Sequence, residues 1–465
     1  MQKSCMKKTL HKNILRKYDI RGIVGEDLHF EDTYFIGLGL GAIFSRNNIA
    51  KVAVGMDGRL SSDGLREKLI AGILESGIDV VKIGVVPTPC LYFSVFHLNL
   101  GGGVMITGSH NPKNYNGFKI MLADRAFFGD DVLEIGKICA SGDFVLPDSP
   151  GKLTEISVLD DYIAKITECV DPAWKINVCF DSGNGCGGEV VEKIAKKFNI
   201  PADNLLYCDI DGNFPNHHPD PTIESNMLDL SRLVLQKKSL CGIGFDGDAD
   251  RIGIVDDKGR FVYGDILVCI LAKYLLLEVP GAKIIADIKA SKVLFDEITR
   301  LGGQAIMWQT GHSLIKNKMK LENAMLAGEM SGHIFYKHRY YGYDDGIYTA
   351  MRLIEILYKH NISLSNLIDE LPQTFSTPEI KITVLESEKF EIMDNIVRIS
   401  KEKFENYVDI DGIRVNSENG WWLVRASNTQ NCLVVRVEST SAAVLAELKA
   451  EVVQVLKMAG ISYEF

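Results

Sequence analysis

None of the ten cysteines, scattered from Cys5 to Cys432, stands in a CxxC pair, which is poor material for a zinc site or a disulfide framework. A basic excess is missing too: 51 Lys and Arg face 61 Asp and Glu, a net charge of -10. The chain therefore has no general attraction for nucleic acid or an anionic membrane, and any anionic substrate must be held by local clusters. Long apolar runs are also lacking. The start, MQKSCMKKTLHKNILRKYDIRG, is basic without the apolar stretch of a secretory signal. The greasiest segment, ILVCILAKYLLLEV at 266–279, contains Lys273 and is too short to span a bilayer, so it reads as a buried helix. Together these absences point to a cytoplasmic protein with neither nucleic acid nor membrane as partner.

What is present is ordinary globular material, with 46% hydrophobic and 24% charged residues, enough to bury substantial cores. At roughly 150 residues per domain, 465 residues suggest about three domains, or four if some are small. Three places begin with a Lys and a short apolar run: Lys51-VAVGMD, Lys175-INVCFD and Lys283-IIADIK. A helical stretch follows each. SSDGLREKLIAGILESG has Ser61 or Ser62 as cap, an apolar face of Leu65, Leu69, Ile73 and Leu74, and Gly77 as its stop; ASKVLFDEITRLGG repeats the plan and stops at Gly302. VVKIGVVPTP and QAIMWQTGH then supply a second strand, and strand–helix–strand units imply parallel pairing.

The reading is an α/β protein of three related α/β/α domains, 1–154, 155–256 and 257–369, with a smaller C-terminal α+β domain over 370–465. The segment ELPQTFSTPEIKI, with two prolines, suits a connection between domains, and CLVVRVE followed by the helical run from Ser441 to Met458 suits the α+β end.

Four loops carry chemistry. In GGGVMITGSHNPKNYNGFK, residues 101–119, an apolar strand ends in a Gly/Ser/Asn/Pro-rich loop, placing Ser109 at its carboxyl end, where open α/β sheets put their chemistry; Lys119 is a charge able to approach whatever Ser109 carries. A hairpin loop with a capping Ser is the plainer alternative. In CGIGFDGDADRIGIVDD, Asp246, Asp248 and Asp250 alternate after a strand, and three hard carboxylates suit Mg²⁺. A solvated acidic turn is the alternative; an EF-hand fits worse, because Arg251 stands where that loop needs Gly. In AMLAGEMSGHIFYKHRYYGYDDGIY, Glu329 accepts, Ser331 both donates and accepts, and His333 does either, a set suited to sugar hydroxyls or merely to a strand-to-helix loop. In VRASNTQNCLVVRVE, Arg425, Ser427, Asn428 and Thr429 form a phosphate clamp or, more plainly, a polar hairpin turn.

TGSHNP, DGDADR, GEMSGH and RASNT, in this order and flanked by KYDIRG, TGHSLIK and YDDGIY, resemble the α-D-phosphohexomutase family over nearly the whole chain, and within it the bacterial phosphomannomutase/phosphoglucomutase group. The resemblance implies four domains around a central cleft, each giving one loop. It implies that Ser109 is a phosphoserine donor, that Asp246, Asp248 and Asp250 hold Mg²⁺ together with a Ser109 phosphate oxygen, and that Glu329, Ser331 and His333 select the sugar. Arg425, Ser427, Asn428 and Thr429 would clamp the non-reacting phosphate. Tyr18, Arg21, Asn111, Lys119, Arg251, Lys289 and His312 fall on cleft positions, with Arg21, Lys119 and Arg251 as cations against the transferring group and Lys119 and His312 as acid–base candidates.

The implied reaction interconverts a hexose 1-phosphate and 6-phosphate, of mannose or glucose, through a hexose 1,6-bisphosphate that turns round in the cleft. Phosphosugars would be the partners of a monomer or weak oligomer. Phosphoserine beside three aspartates would be repulsive without a metal. Ala249 replaces a Gly common among relatives and is expected to leave the carboxylates in place; Met330 resembles the glucose/mannose type rather than the glucosamine type. The alternatives are a phosphoglucosamine mutase, a Mg²⁺-dependent sugar phosphatase passing phosphate to water, and a non-catalytic phosphosugar binder.

Overall fold

Two of the three Lys-led runs form inner strands from their lysine onward, and the third only from its later residues, in the computed structural model, which describes residues 6–123, 125–385, 387–427 and 430–465. Lys51–Met56 lies between Asp79–Val85 and Gly102–Ile106, parallel to both. The full first sheet runs Ile20–Ile23, Tyr115–Leu122, Gly102–Ile106, Lys51–Met56, Asp79–Val85, Leu153–Glu155, with antiparallel pairing at its Tyr115–Leu122 end. The helix Ser62–Glu75 buries Leu65, Leu69, Ile70 and Ile73 on one face, each fully buried aliphatic contributing roughly 1.5–3 kcal/mol. It stops where Gly77 turns left-handed at φ 79°, a conformation glycine adopts without a Cβ clash. Ser61 occupies the cap position but makes no capping bond; its hydroxyl instead accepts from Asn116 Nδ2 at 2.8 Å.

The second sheet runs Phe261–Val262, Ile252–Asp256, Cys241–Phe245, Cys179–Asp181, Leu205–Leu206. Its Lys-led run is strand only from Cys179. Ahead of it, Asn177 N donates to the Tyr358 hydroxyl at 2.6 Å and that hydroxyl donates to Lys175 O at 2.9 Å, so a side chain takes the backbone groups that a neighbouring strand would have used. The helix Gly188–Phe198 covers the sheet with Val190, Val191, Ile194, Ala195 and Phe198 buried, spaced three and four apart as an amphipathic helix requires.

Lys283–Asp287 lies parallel to Gln304–Trp308 and to Leu326–Gly328, joined to the former by the helix Lys292–Arg300, which Ser291 caps through Val293 N and which Gly302 follows at φ 80°. The last sheet is antiparallel: Phe375–Ser376, Cys432–Ser439, Gly420–Ala426, Ile413–Ser417, Tyr407–Val408. The helices Lys389–Lys403 and Ala442–Met458 pack on it through Met393, Ile396, Leu448, Val452 and Val455. The proline-bearing segment expected to be a plain connection contributes Phe375–Ser376 and Ile380–Thr383, both paired with Cys432–Ser439.

The greasy run is the 15-residue helix Gly264–Glu278, and among the described residues no helix is long and apolar enough to cross a membrane. The chain divides into two compact units, residues 1–267 with 331–365, and residues 268–330 with 366–465.

Candidate active site

All four loops leave the carboxyl end of a strand: Gly102–Ile106, Cys241–Phe245, Leu326–Gly328 and Gly420–Ala426. In the first unit Ser109 is buried and left-handed at φ 49°, a conformation that costs an L-residue about 1–2 kcal/mol and is kept only where its surroundings enforce it. Its amide donates to Thr107 Oγ1 at 2.8 Å. Its hydroxyl donates to Asp246 Oδ2 at 2.8 Å and lies 3.2 Å from His110 Nδ1. The metal-type loop and the serine loop are therefore one constellation.

Asp246, Asp248 and Asp250 are all fully buried, and one carboxylate oxygen from each lies within 4.8 Å of the other two. Lys119 Nζ bonds Asp248 Oδ2 at 2.6 Å and also bonds Asp250, while Thr88 Oγ1 donates to Asp248. Burial would lower the Lys119 pKa, but Asp248 and Asp250 outweigh it and hold the ammonium above its ordinary value. Burial and the repulsion of Asp248 and Asp250 hold Asp246 well above the usual carboxylate range. Asp248 goes the other way, because Lys119 overcomes its burial. Lys119 reaches only two of the three carboxylates, and among the described residues Asp248 Oδ1 and Asp250 Oδ1 are buried with no hydrogen-bond partner. Hard, converging, unsatisfied oxygens fit a divalent cation.

Arg251 ties this loop to the third motif. Its amide donates to Asp246 Oδ1 at 3.1 Å and its Nε donates to His333 Nε2 at 3.0 Å. A guanidinium can only donate, so His333 carries its proton on Nδ1, which faces Asp344 Oδ2 at 3.1 Å. Arg21 bonds Asp19 and donates to Asn111 Oδ1 at 3.3 Å. Tyr18 is half-buried just ahead of Ile20–Ile23. Burial and the cations Arg251 and Arg21 push His110 well below the ordinary imidazole value. Ser331, half-buried, belongs to the same unit.

The second unit gathers Lys289, His312, Glu329, Arg425 and Ser427. Lys289 Nζ bonds Glu379 Oε1 at 2.6 Å and lies 3.7 Å from Asp287. Burial would raise the Glu379 carboxyl, but Lys289 and Arg425 bring it down to about 2. Burial, with the charge of Glu329 adding to it against Lys289, lifts Asp287 to about 6. Glu329 accepts from Gly311 N, beside His312 at the start of the helix His312–Glu322. Arg425 Nε donates to Asp411 Oδ2 at 2.9 Å, which also accepts from Thr310 N at 3.1 Å. Ser427 Oγ accepts from Gln430 N at 3.1 Å. Asn428 and Thr429 lie outside the described residues.

Sequence reasoning missed Asp57, Arg59, Thr88, Asp344, Glu379 and Asp411, all of which touch residues of these two groups. A signal existed for the first two. The run Lys51-VAVGMD predicts a strand, and the Asp57–Arg59 turn at its carboxyl end occupies the same kind of position as Ser109.

Comparison with known proteins agrees across the chain. Residues 12–145, 160–259 and 263–375 match the phosphoglucomutase/phosphomannomutase alpha/beta/alpha domains I, II and III, and residues 379–455 match the C-terminal domain of the same family. A phosphomannomutase/phosphoglucomutase of Pseudomonas putida is 45% identical over 95% of this chain and 94% of its own. A phosphoglucomutase of Neisseria gonorrhoeae is 41% identical over 95% and 96%. The crystal structure of a phosphoglucomutase/phosphomannomutase family protein from Burkholderia thailandensis superposes with a TM-score of 0.90 at 36% identity, over 97% of this chain and 98% of that one. With relatives this similar over nearly its full length, and with its serine and aspartate loops meeting in one buried constellation, the chain belongs to the phosphoglucomutase/phosphomannomutase family.

Proposed function

We propose that this chain interconverts hexose 1-phosphates and hexose 6-phosphates, of mannose or glucose, using phosphorylated Ser109 as donor and a hexose 1,6-bisphosphate as intermediate. The observation that supports it most is the buried Ser109 hydroxyl bonded to Asp246 within a triad of aspartates whose oxygens are short of partners. Asp246, Asp248, Asp250 and a Ser109 phosphate oxygen would hold Mg²⁺, whose charge would neutralise the equatorial oxygens of the transferring group.

The remaining work falls to side chains. A sugar hydroxyl attacks the phosphorus of Ser109; its O–P bond forms as the Ser109 Oγ–P bond breaks, and its proton leaves to a base. Lys119, bonded to Asp248 and Asp250, and His312 share the acid and base roles between them. Arg21 and Arg251 face the phosphoryl oxygens. Glu329, Ser331 and His333 read the sugar in both orientations; Arg425 and Ser427, with Asn428 and Thr429, hold the non-reacting phosphate, and Tyr18, Asn111 and Lys289 line the substrate. The reading divides the chain near 155, 257 and 370, and takes a monomer or weak oligomer in the cytosol with phosphosugars as its partners.

The test is purified protein with Mg²⁺ and trace glucose 1,6-bisphosphate, comparing glucose 1-phosphate and mannose 1-phosphate while recording free phosphate. Conversion of both to 6-phosphates without phosphate release is expected. Conversion of glucosamine 1-phosphate alone would move the chain to the glucosamine type, and phosphate release alone would make it a phosphatase. Ser109→Ala should lower turnover by about 10³-fold or more; an unaltered rate would remove Ser109 as donor.

A further inference from the structure

Arg59 is a buried cation to which the reaction above gives no task. It sits on the turn after the strand Lys51–Met56 and is 3% exposed. Its guanidinium reaches four carbonyls of a single loop. Nη1 donates to Pro112 O at 2.7 Å and Tyr115 O at 3.0 Å; Nη2 donates to Ser109 O at 2.7 Å and Asn111 O at 2.6 Å. Asp57 holds the guanidinium from behind: its Oδ2 lies 3.2 Å from Arg59 Nε and accepts from Gly108 N at 3.1 Å. Its Oδ1 accepts from Ser62 Oγ and from Arg59 N at 3.0 Å. The Phe214 ring lies over the guanidinium with its centroid 5.1 Å away, and bonds shielded from water in this way are electrostatically stronger.

We infer that Asp57 and Arg59 are the positioning residues of the nucleophile loop: they hold Ser109 left-handed and keep its Oγ aimed at the aspartate triad. The assignment rests on the mutase reading. A left-handed serine relaxes unless restrained from outside, and here the residues on both sides of it are tied to one Asp–Arg pair. Only arginine fits the task, since it offers five donors in a planar fork and no acceptor, whereas a lysine ammonium has three donors at a single point. Gly108 belongs to the same device, because a Cβ there would stand 2.5 Å from the guanidinium carbon.

The experiment measures kcat, KM and amide hydrogen exchange at residues 108–111 in the full-length wild type, Arg59→Lys, Arg59→Ala and Gly108→Ala. Arg59→Lys and Gly108→Ala should speed exchange at 108–111 by about tenfold or more and lower kcat by about 100-fold, the scale of a small misplacement of reacting groups, with KM changed less than about twofold. Ethylguanidinium, and not ethylammonium, should restore part of kcat to Arg59→Ala, which a general loss of folding would not permit. Unchanged exchange at 108–111 in Arg59→Lys and Gly108→Ala would overturn the assignment, as would a defect confined to KM. If the wild type converts no hexose phosphate, the mutase reading falls, while exchange at 108–111 still decides whether Arg59 holds the loop.

Discussion

Around Ser109 one lysine ammonium bonds two of three buried aspartates, whereas around Lys289 and Arg425 each cation meets a carboxylate, Glu379 in one case and Asp411 in the other. The first group keeps two buried carboxylate oxygens without hydrogen bonds among the described residues. In the second each cation is already paired with a carboxylate, and Asp287 stands 3.7 Å from Lys289 as a further one. Buried charge is tolerable only when something neutralises it, so the two groups ask for different things. On the proposed reading the aspartate group would take a divalent cation, whereas the cations of the other would meet an anion while already bonded to carboxylates.

Removing the cation should break the contrast most severely. Chelation, or Asp248→Asn at fixed Mg²⁺, should lower turnover by about 10³–10⁵-fold, the range associated with a cation placed against a transferring phosphoryl group. Restoration by added Mg²⁺ after chelation separates this from unfolding. Full turnover in metal-free buffer would show that Lys119 and Arg251 suffice for the site.

Asp345 isolates the effect of burial from that of crowding. It caps the helix Gly346–His360 through Tyr348 N and accepts from the Tyr162 hydroxyl at 3.0 Å and the Tyr340 hydroxyl at 2.8 Å. Its described partners are neutral, and burial lifts its carboxyl to about 7 although these bonds pull it down. Folding therefore favours the protonated form. The stabilisation is complete below the ordinary aspartate value and fades as pH rises from about 4 to about 7, by up to roughly 4 kcal/mol for one group. Asp345→Asn, still a good cap, should flatten this slope, so the variant should melt higher than wild type at pH 8 and near it at pH 4. Parallel melting curves across that range would show that Asp345 stays ionised.

In the second group, Arg425→Ala should raise KM by about 10–100-fold with a smaller change in kcat, because a hydrogen-bonded ionic contact present in ground and transition states alike is worth about 1.5–3 kcal/mol. An equal fall in kcat with KM unchanged would assign Arg425 to the chemical step instead.

The difference between the two groups was only half legible in the sequence. Strand-ending loops are local features, so Ser109, the alternating aspartates, Glu329 and Arg425 could be read from an apolar run followed by Gly and polar residues, and the parallel pairing followed from strand–helix–strand spacing. The partners were not local. Glu379 lies far along the chain from Lys289, and Arg59 is about fifty residues from the carbonyls it holds; no periodicity announces such pairings. The shortened strand at Cys179 has the same cause, a hydroxyl contributed by distant Tyr358. Pro372 and Pro378 suggested a connection, yet proline is also compatible with strand edges, and the segment pairs with Cys432–Ser439 on either side of Pro378.

Ala249 gives the smallest effect. It is buried between Asp248 and Asp250 at φ 57°, its amide donating to Asp246 O at 3.0 Å and its carbonyl accepting from Gly346 N at 3.2 Å. The expectation that alanine leaves the carboxylates in place agrees with their convergence, but the backbone reaches that arrangement in a conformation alanine dislikes by about 1–2 kcal/mol. Ala249→Gly would relieve the strain while losing about 0.8 kcal/mol of buried methyl and giving the unfolded chain more entropy. A net stabilisation of about 0.5 kcal/mol is expected in urea titrations without metal. The rise in stability on adding Mg²⁺ should be the same in both proteins, because it depends on metal affinity and the substitution removes no ligand oxygen. A loss exceeding about 1 kcal/mol would mean that methyl packing outweighs the backbone strain, and an altered Mg²⁺ increment would mean that the alanine takes part in shaping the aspartate loop.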